Sequence, residues 1–229
     1  MSARGGPQVI PRPPGSRPGR PAPWAGLPAP RALALDELTR RVAERGPGRV
    51  IPGVVDPIGR DSAVLIALYE DDGQAHVVLT RRSGQLRSHR LEVSFPGGRS
   101  DPGDRSPWET AIREAHEEIA LDPRLPRQVG ELDRFVTVGS RSLVHPLVAV
   151  LPDPPADLRP EPAEVEHILH VQLAELLQDD VFREESWPIG DHFRPITFFD
   201  LHGDTIWGAT GAMLRQLLCI ALGVDDGPR

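Results

Sequence analysis

The chain has 229 residues, enough to bury a substantial core, so one domain with extensions is the expected organisation. Its formal net charge of −7 argues against nucleic-acid binding through a broad basic surface. A single cysteine, Cys219, excludes an intrachain disulfide, and no apolar run approaches the roughly 20 residues that span a bilayer.

The first 31 residues are rich in proline, glycine and arginine and contain no acidic residue. Such a composition buries too little apolar surface to offset chain entropy, so we expect residues 1–31 to form a disordered basic tail. Residues 32–229 are then expected to form the folded domain. This domain opens with a helix over residues 32–46, where Gly46 ends the apolar periodicity.

The next segments predict strands followed by a helix. Two strand-forming runs, AVLIALYE and AHVVLTRR, surround an Asp-Gly turn and predict a hairpin. The run LEVSF predicts a short strand that ends at the PGG sequence of residues 96–98. A helix follows, with Ser106 as its N-cap, Pro107 at the first helical position and Glu109 completing a capping box.

The second half of the chain adds more strands and a final helix. The runs RFVTV, LVHPLVAVL and HILHV predict strands, QLAELLQ predicts a short helix, and ITFFDL with DTIWGA predicts a hairpin. The run TGAMLRQLLCIAL closes the chain as a helix. Strands on both sides of a central helix predict an α+β fold, with a mixed β-sheet sandwiched between helices in an α/β/α arrangement.

Three glutamates crowd one turn of the central helix. Glu114, Glu117 and Glu118 are spaced i, i+3 and i+4, and like charges at this spacing destabilise a helix by roughly 0.2–0.5 kcal/mol per pair. A divalent cation such as Mg²⁺ or Mn²⁺ would relieve this repulsion, because it prefers oxygen ligands and bridges carboxylates to phosphates. The alternative is a solvated acidic face. Arg113 cannot bind a metal, so its expected role is an ion pair that orients a glutamate.

The segment of about residues 98–121, GRSDPGDRSPWETAIREAHEEIAL, resembles the Nudix box. The pattern of that box is Gly, five residues, Glu, seven residues, then Arg-Glu-apolar-any-Glu-Glu-any-Gly-apolar. Two features depart from it: Ala120 replaces the last glycine, and the span from Gly98 to Arg113 is one residue longer. The place of the first glutamate therefore falls on Asp104 or Arg105.

The preceding segment, VVLTRRSGQLRSHRLEVSFPGG, looks like the signature of the coenzyme A diphosphatase branch of Nudix hydrolases. The extra residue inside the box is also a habit of that branch. Leu91 stands where the signature has glycine. The positions in register with the signature are Thr80, Arg82, Ser83, Arg87, Val93, Phe95, Pro96, Gly97 and Gly98.

This resemblance implies a Nudix fold and a function. The implied reaction is hydrolysis, dependent on Mg²⁺ or Mn²⁺, of the diphosphate bond in coenzyme A or acyl-CoA, giving 3′,5′-ADP and (acyl-)4′-phosphopantetheine. The implied metal ligands are Glu114, Glu117, Glu118 and Gly98. The implied catalytic residues are Glu114, Arg113 and Glu164, where Glu164 is either the general base or an ordinary loop carboxylate. The candidate substrate-binding residues are Arg82, Arg87, Arg90 and Arg141, because a guanidinium fork suits phosphate geometry.

Several alternatives remain open at this point. The substrate is either coenzyme A or another nucleoside diphosphate derivative, such as ADP-ribose or NADH. Leu91, Ala120 and the displaced first acid favour a catalytically silent nucleotide-binding module instead. Trp187 and Trp207 are either core residues or stacking partners for an adenine. We expect a small-molecule partner, no nucleic acid, no membrane and a cytoplasmic location, and leave a homodimer open.

Overall fold

The computed structural model describes residues 4–29, 31, 33–51, 61–86, 88–137 and 141–227. Within these ranges the helices are α1 (Leu35–Glu44), α2 (Pro107–Ile119) and α3 (Gly208–Leu222). The strands are β1 (Arg17–Pro18), β2 (Ser62–Asp71), β3 (Gln74–Arg82), β4 (Val93–Ser94), β5 (Gly97–Arg99), β6 (Arg127–Glu131), β7 (Phe135–Val136), β8 (Leu143–Val150), β9 (Val165–Gln172), β10 (Phe182–Ile189), β11 (His192–Asp200) and β12 (Thr205–Trp207).

The larger sheet is mixed and has eight strands in the described part of the chain. Its central path runs β4-β3-β2-β8-β6, with β5 on β2, β7 on β8 and β9 on β3. The β2–β8 pair is parallel, and the other pairs in this sheet are antiparallel. The predicted mixed sheet is therefore confirmed.

The predicted hairpin at the Asp-Gly turn is confirmed, but its two strands separate after four residue pairs. Pairing of β2 with β3 runs only from Asp71↔Gln74 to Leu68↔Val77. Beyond that point β4 pairs with β3, and β5 pairs with β2. The chain crosses between the separated strands at Gly97, where a Cβ atom would overlap the carbonyl oxygen of Ala63. The PGG sequence therefore brings β5 and its two glycines into the middle of the sheet.

Helices cover both faces of this sheet. Alternate residues of β2 lie in different cores, as expected from the two-residue period of a strand. Leu65 and its neighbours Ala63 and Ala67 pack with α2, whereas Ile66 and Leu68 lie in the core that contains α1 and α3. The structure confirms the predicted α/β/α layering.

A second sheet was not predicted. It is antiparallel and has the order β1-β10-β11-β12. The hairpin predicted from ITFFDL and DTIWGA forms its β11–β12 part. Its longest pairing, β10 with β11, escaped prediction because the charged run in FREESWPI hides the strand pattern. The strand β6, with the sequence RQVGE, was missed for the same reason.

The expected disorder of residues 1–31 differs from the structure in the described range 4–29. Trp24 is fully buried against Phe182 and Phe199. Arg4 forms an ion pair with Asp180, and β1 pairs with the edge of β10. The composition misled the prediction because acidic residues elsewhere in the chain supply partners for these arginines.

The remaining features of the fold concern its helices. The first helix spans Leu35–Glu44, within the predicted 32–46, and buries Leu38 and Val42 on one face. In the described ranges, no helix is long and apolar enough to cross a bilayer.

Candidate functional site

The central helix begins as the sequence predicts. The Ser106 side chain accepts a hydrogen bond from the backbone N–H of Glu109, and Pro107 occupies the first turn. The second half of the capping box differs, because the Glu109 carboxylate accepts from the N–H of Arg105, one residue before the N-cap. This start fixes the direction in which the following glutamates project.

Two of the three glutamates face the glycines of β5. The carboxylate of Glu114 lies where a side chain at residue 98 would project, since a Cβ atom there would be 2.5 Å from its Oε2. The N–H of Gly97 donates to Glu118 Oε2 at 3.2 Å. Glycine at residue 98 therefore allows helix α2 and strand β5 to approach with a carboxylate between them.

Glu118 is the most unusual of these carboxylates. Only 4% of its surface is exposed, and burial raises its pKa to about 8. The N–H of Gly97 and the guanidinium of Arg82, 3.9 Å away, lower the pKa, while the charges of Glu114 and Glu164 raise it further. Burial also raises the pKa of Glu114. Both carboxyl groups are therefore harder to ionise than an ordinary glutamate, and a cation bound beside them would favour their ionised forms.

Arg113 links the acidic residues to each other. Its guanidinium donates to both carboxylate oxygens of Asp104, at 3.1 and 2.9 Å, and to the backbone carbonyl of Arg99 at 3.0 Å. It also pairs with Glu114 at 2.9 Å and with Glu117 at 3.0 Å. The expected ion pair that orients a glutamate is therefore present.

Asp104 is a residue of the candidate site to which the sequence assigned no role. Its hydrogen bonds from Arg113 hold its pKa well below the usual range, and Thr110 donates a further hydrogen bond at 2.9 Å. Asp104 therefore anchors Arg113 across the loop before α2. The spacing from Gly98 assigns the place of the first box glutamate to Asp104 or Arg105. Only the ion pair between Asp104 and Arg113 distinguishes the two.

Glu117 is the most exposed of the three glutamates, and it shares Arg113 Nη1 with Glu114. Its side chain is 57% exposed and is bound to Arg113. Among the described residues, no three acidic, histidine or cysteine side chains converge as a ready-made metal site. Arg113 explains this, because it holds Glu117 and one oxygen of Glu114. The donor set is nevertheless all oxygen, which suits Mg²⁺ or Mn²⁺.

Glu164 lies near the buried carboxylate of Glu118. Its backbone carbonyl accepts from the N–H of Ser83 at 2.8 Å, which fixes its loop beside the end of β3. Its charge acts on both Glu114 and Glu118, and its side chain is exposed. The structure therefore brings Glu164 to the edge of the acidic site.

The candidate substrate arginines occupy different positions. Arg82 is beside Glu118, and the exposed Arg90 donates from Nε to the carbonyl of Leu86 at 2.5 Å. Arg141 has a left-handed φ of 53° and precedes β8, whose first pairs lie opposite the start of β2, where β5 also pairs. Arg87 lies outside the described residues.

The histidines near the motifs have local partners. His116 Nδ1 donates to the carbonyl of Leu121 at 3.1 Å, beyond the end of α2. His89 Nδ1 contacts the carboxylate of Glu92 at 2.9 Å. Each of these two histidines is therefore held by a residue at most five positions away in the chain.

A cavity of about 520 Å³ lies on the sheet face opposite α2. Val93 and Ser94 of β4, together with residues of α3, form part of its wall. Trp187 and Trp207 line it with their ring centroids 5.9 Å apart. Trp187 is buried, so it serves the core and the cavity wall at once. The cavity wall at β4 is separated from Gly97 by two residues.

The chain matches the model of the NUDIX domain over residues 59–193. It is 40% identical over 161 residues to Nudix hydrolase 22, chloroplastic, of Arabidopsis thaliana, covering 68% of this chain and 53% of that protein. It is 36% identical over 161 residues to the mitochondrial coenzyme A diphosphatase NUDT8 of Homo sapiens, covering 69% of this chain and 67% of that protein. The chain spans about half the length of this Arabidopsis protein and of a second one, Nudix hydrolase 15, mitochondrial, of which it covers 55%.

A bacterial relative shows the same likeness. The uncharacterized Nudix hydrolase NudL of Photorhabdus laumondii is 37% identical over 141 residues, covering 62% of this chain and 74% of that protein. The matched region includes the separated β2 and β3 strands, the β5 glycines and helix α2. This protein is a member of the Nudix family.

Proposed function

We propose that this protein hydrolyses the diphosphate bond of coenzyme A or acyl-CoA in a reaction that depends on Mg²⁺ or Mn²⁺. The products are 3′,5′-ADP and (acyl-)4′-phosphopantetheine. The observation that supports this most is the buried carboxylate of Glu118, which lies between the β5 glycines and Arg82. The coenzyme A part of the proposal is supported by the signature segment before the box and by the likeness to the human mitochondrial coenzyme A diphosphatase NUDT8.

The acidic residues fit a hard divalent cation. Glu114 and Glu118 supply carboxylate oxygens, and Gly98, the backbone ligand that the resemblance implies, lies directly against the Glu114 carboxylate. Glu117 joins them if it leaves Arg113 and adopts another rotamer. When bound, the ion would neutralise diphosphate charge and lower the pKa of a water molecule. A bound cation would also favour the ionised form of the buried Glu118, whose ion pair with Arg82 spans 3.9 Å.

The remaining residues have distinct proposed roles. Arg113, fixed by Asp104, holds Glu114 in place as the reaction proceeds. Glu164, exposed at the edge of the site, accepts the proton of the attacking water. Arg82, Arg90 and Arg141 bind substrate phosphates, and Arg87 is proposed for the same role from its place in the signature.

A substrate panel tests the reaction. The purified chain with Mg²⁺ or Mn²⁺ is incubated with coenzyme A, dephospho-coenzyme A, ADP-ribose and NADH, and products are separated by chromatography. We expect the highest kcat/KM for coenzyme A, with a lower value for dephospho-coenzyme A because it lacks the 3′-phosphate. Turnover of ADP-ribose or NADH alone would contradict the substrate assignment, and turnover of no compound would contradict the enzymatic one.

A pair of variants on one helix tests the site. We expect Glu118→Gln to lower kcat by about 1,000-fold or more and to weaken Mn²⁺ binding, since a carboxylate ligand is lost. Glu109→Gln is the matched control, because Glu109 is on the first turn of the same helix and pairs with Arg105 at the surface. Its kcat should stay within about twofold of wild type. Equal activity in both variants would remove Glu118 from the mechanism.

A further inference from the structure

The described residues 4–29 form a strap along the domain, and Gln8 is its most buried polar contact. Gln8 is only 9% exposed. Its amide Nε2 donates to the carbonyl of Leu91 at 3.0 Å and to Asp204 Oδ1 at 2.8 Å. Its Oε1 accepts from the N–H of Thr205 at 3.0 Å. One side chain of the strap therefore joins β12 to the loop between β3 and β4.

The residue that Gln8 holds is in an unfavourable backbone conformation. Leu91 has a φ of 60°, in the left-handed region that costs a residue with a Cβ atom roughly 1–2 kcal/mol. Glycine is the residue that adopts this conformation without strain. The hydrogen bond from Gln8 to its carbonyl stabilises Leu91 in this position.

Hydrogen bonds continue from Leu91 to the acidic site. The N–H of Leu91 donates to the carbonyl of Arg82 at 3.2 Å, and the N–H of Arg82 donates to the carbonyl of Glu92 at 2.9 Å. Arg82 in turn lies 3.9 Å from Glu118. The contacts of Gln8 therefore reach the arginine beside the buried carboxylate through one intervening residue.

A second connection runs in parallel through β3. Asp204, which is 4% exposed, accepts from Gln8 and also from Arg81 Nη1 at 3.2 Å. Arg81 adjoins Arg82 at the end of β3, so both ends of the β3–β4 loop are tied to the position of Gln8. A loop with its base fixed at both ends loses less conformational entropy when it binds a ligand.

We propose that Gln8 is a positioning residue that holds the β3–β4 loop in the conformation that binds the substrate's phosphates. This inference rests on the proposed diphosphate hydrolysis. It assigns to the strap a role in substrate affinity, carried by a residue far from the box in sequence. The loop holds parts of the substrate that do not react, so its order should affect KM more than kcat.

The test replaces Gln8 with residues of similar size. Gln8→Met keeps the volume and removes both hydrogen-bonding groups. We expect it to raise KM for coenzyme A by about threefold to tenfold, with kcat within about twofold of wild type. Gln8→Asn keeps the amide but withdraws it by one methylene group, so it should change KM in the same direction. Arg12→Ala is the control, because Arg12 belongs to the same strap and pairs with Glu185 at the surface.

A measurement without substrate separates this inference from the proposed function. Hydrogen exchange of peptides covering residues 83–92 should be about threefold to tenfold faster in Gln8→Met than in wild type or Arg12→Ala. Unchanged exchange and unchanged KM in both Gln8 variants would overturn the role of Gln8. A lower kcat at constant KM would overturn it as well. If wild type turns over no diphosphate, the proposed function fails, and faster loop exchange still supports the positioning contact.

Discussion

At the scale of single residues, the acidic turn of α2 contains two environments. Glu117 is exposed and paired with Arg113, whereas Glu118 is buried and faces a backbone N–H. Glu117 and Glu118 are adjacent in the sequence, which therefore predicts both as metal ligands without distinguishing them. Their surroundings make Glu118 the carboxylate that gains most from a nearby cation, because it has lost most of its hydration and its guanidinium partner, Arg82, is 3.9 Å away.

The raised pKa of Glu118 predicts how stability depends on pH in the presence of a chelator. Its pKa is about 8 in the folded chain, against an ordinary value of 4.5, so the folded state holds a proton that the unfolded state releases. The free energy of unfolding should therefore fall as pH rises from about 4.5 to about 8, by on the order of 2–4 kcal/mol. The raised pKa of Glu114 acts in the same direction.

Urea denaturation in EDTA between pH 5 and pH 8.5 measures this dependence. Glu118→Gln should flatten the slope, Glu109→Gln should retain it, and added Mg²⁺ should recover stability at the high end. A free energy of unfolding that is constant over this range, with the same value in Glu118→Gln, would show that the carboxylate is not held protonated.

At the scale of elements, the end of α2 shows why this box tolerates its missing glycine. Ala120 is the C-cap and adopts a left-handed φ of 56°, and its N–H donates to the carbonyl of His116 at 2.9 Å. The helix therefore ends in the geometry that a glycine would provide, at a cost in backbone strain. Leu121 follows into the core between α2 and the sheet.

This strain predicts a stabilising substitution. We expect Ala120→Gly to raise the free energy of unfolding by about 0.5–1 kcal/mol, since relief of the left-handed strain exceeds the added entropy of the unfolded chain. The reverse change at Gly73 is the control, because Gly73 has a φ of 70° and open space around its Cα. Gly73→Ala should lower stability by about 1 kcal/mol. Thermal melts of both variants measure this, and a loss of stability in Ala120→Gly would contradict it.

At the scale of the whole molecule, the N-terminal strap is part of the main core. Trp24 stacks on Phe199 with ring centroids 6.4 Å apart and meets the edge of Phe182 at 5.2 Å. These three aromatic rings join the strap to the second sheet, which in turn packs on α3. The strap therefore covers apolar surface of Phe182 and Phe199 in the second sheet.

The contribution of the strap is measured by two substitutions within it. We expect Trp24→Ala to lower the free energy of unfolding by about 3–5 kcal/mol, because it empties a fully buried aromatic site. Val9→Ala, at a residue that is 89% exposed, should change it by less than about 0.5 kcal/mol. Chemical denaturation checks both. Equal effects would mean that the strap is only loosely attached to the core.

The sequence by itself determined the elements whose patterns are local. The Asp-Gly hairpin, the capped start of α2 and the layering of a mixed sheet between helices follow from periodicity and turn chemistry, and the structure confirms them. The resemblance of residues 98–121 to the Nudix box also indicated the family, which the match to the NUDIX domain over residues 59–193 confirms. These features depend on residues close together in the chain.

Only the tertiary structure decided the features that depend on distant residues. It identified Asp104 as the partner of Arg113, separated buried Glu118 from exposed Glu117, and ordered residues 4–29 against the second sheet. Burial, pKa and ion pairing depend on the residues that meet in space, often more than 100 positions apart. Composition cannot show that basic residues near the start of a chain have acidic partners near its end, and here those partners include Asp180 and Glu185.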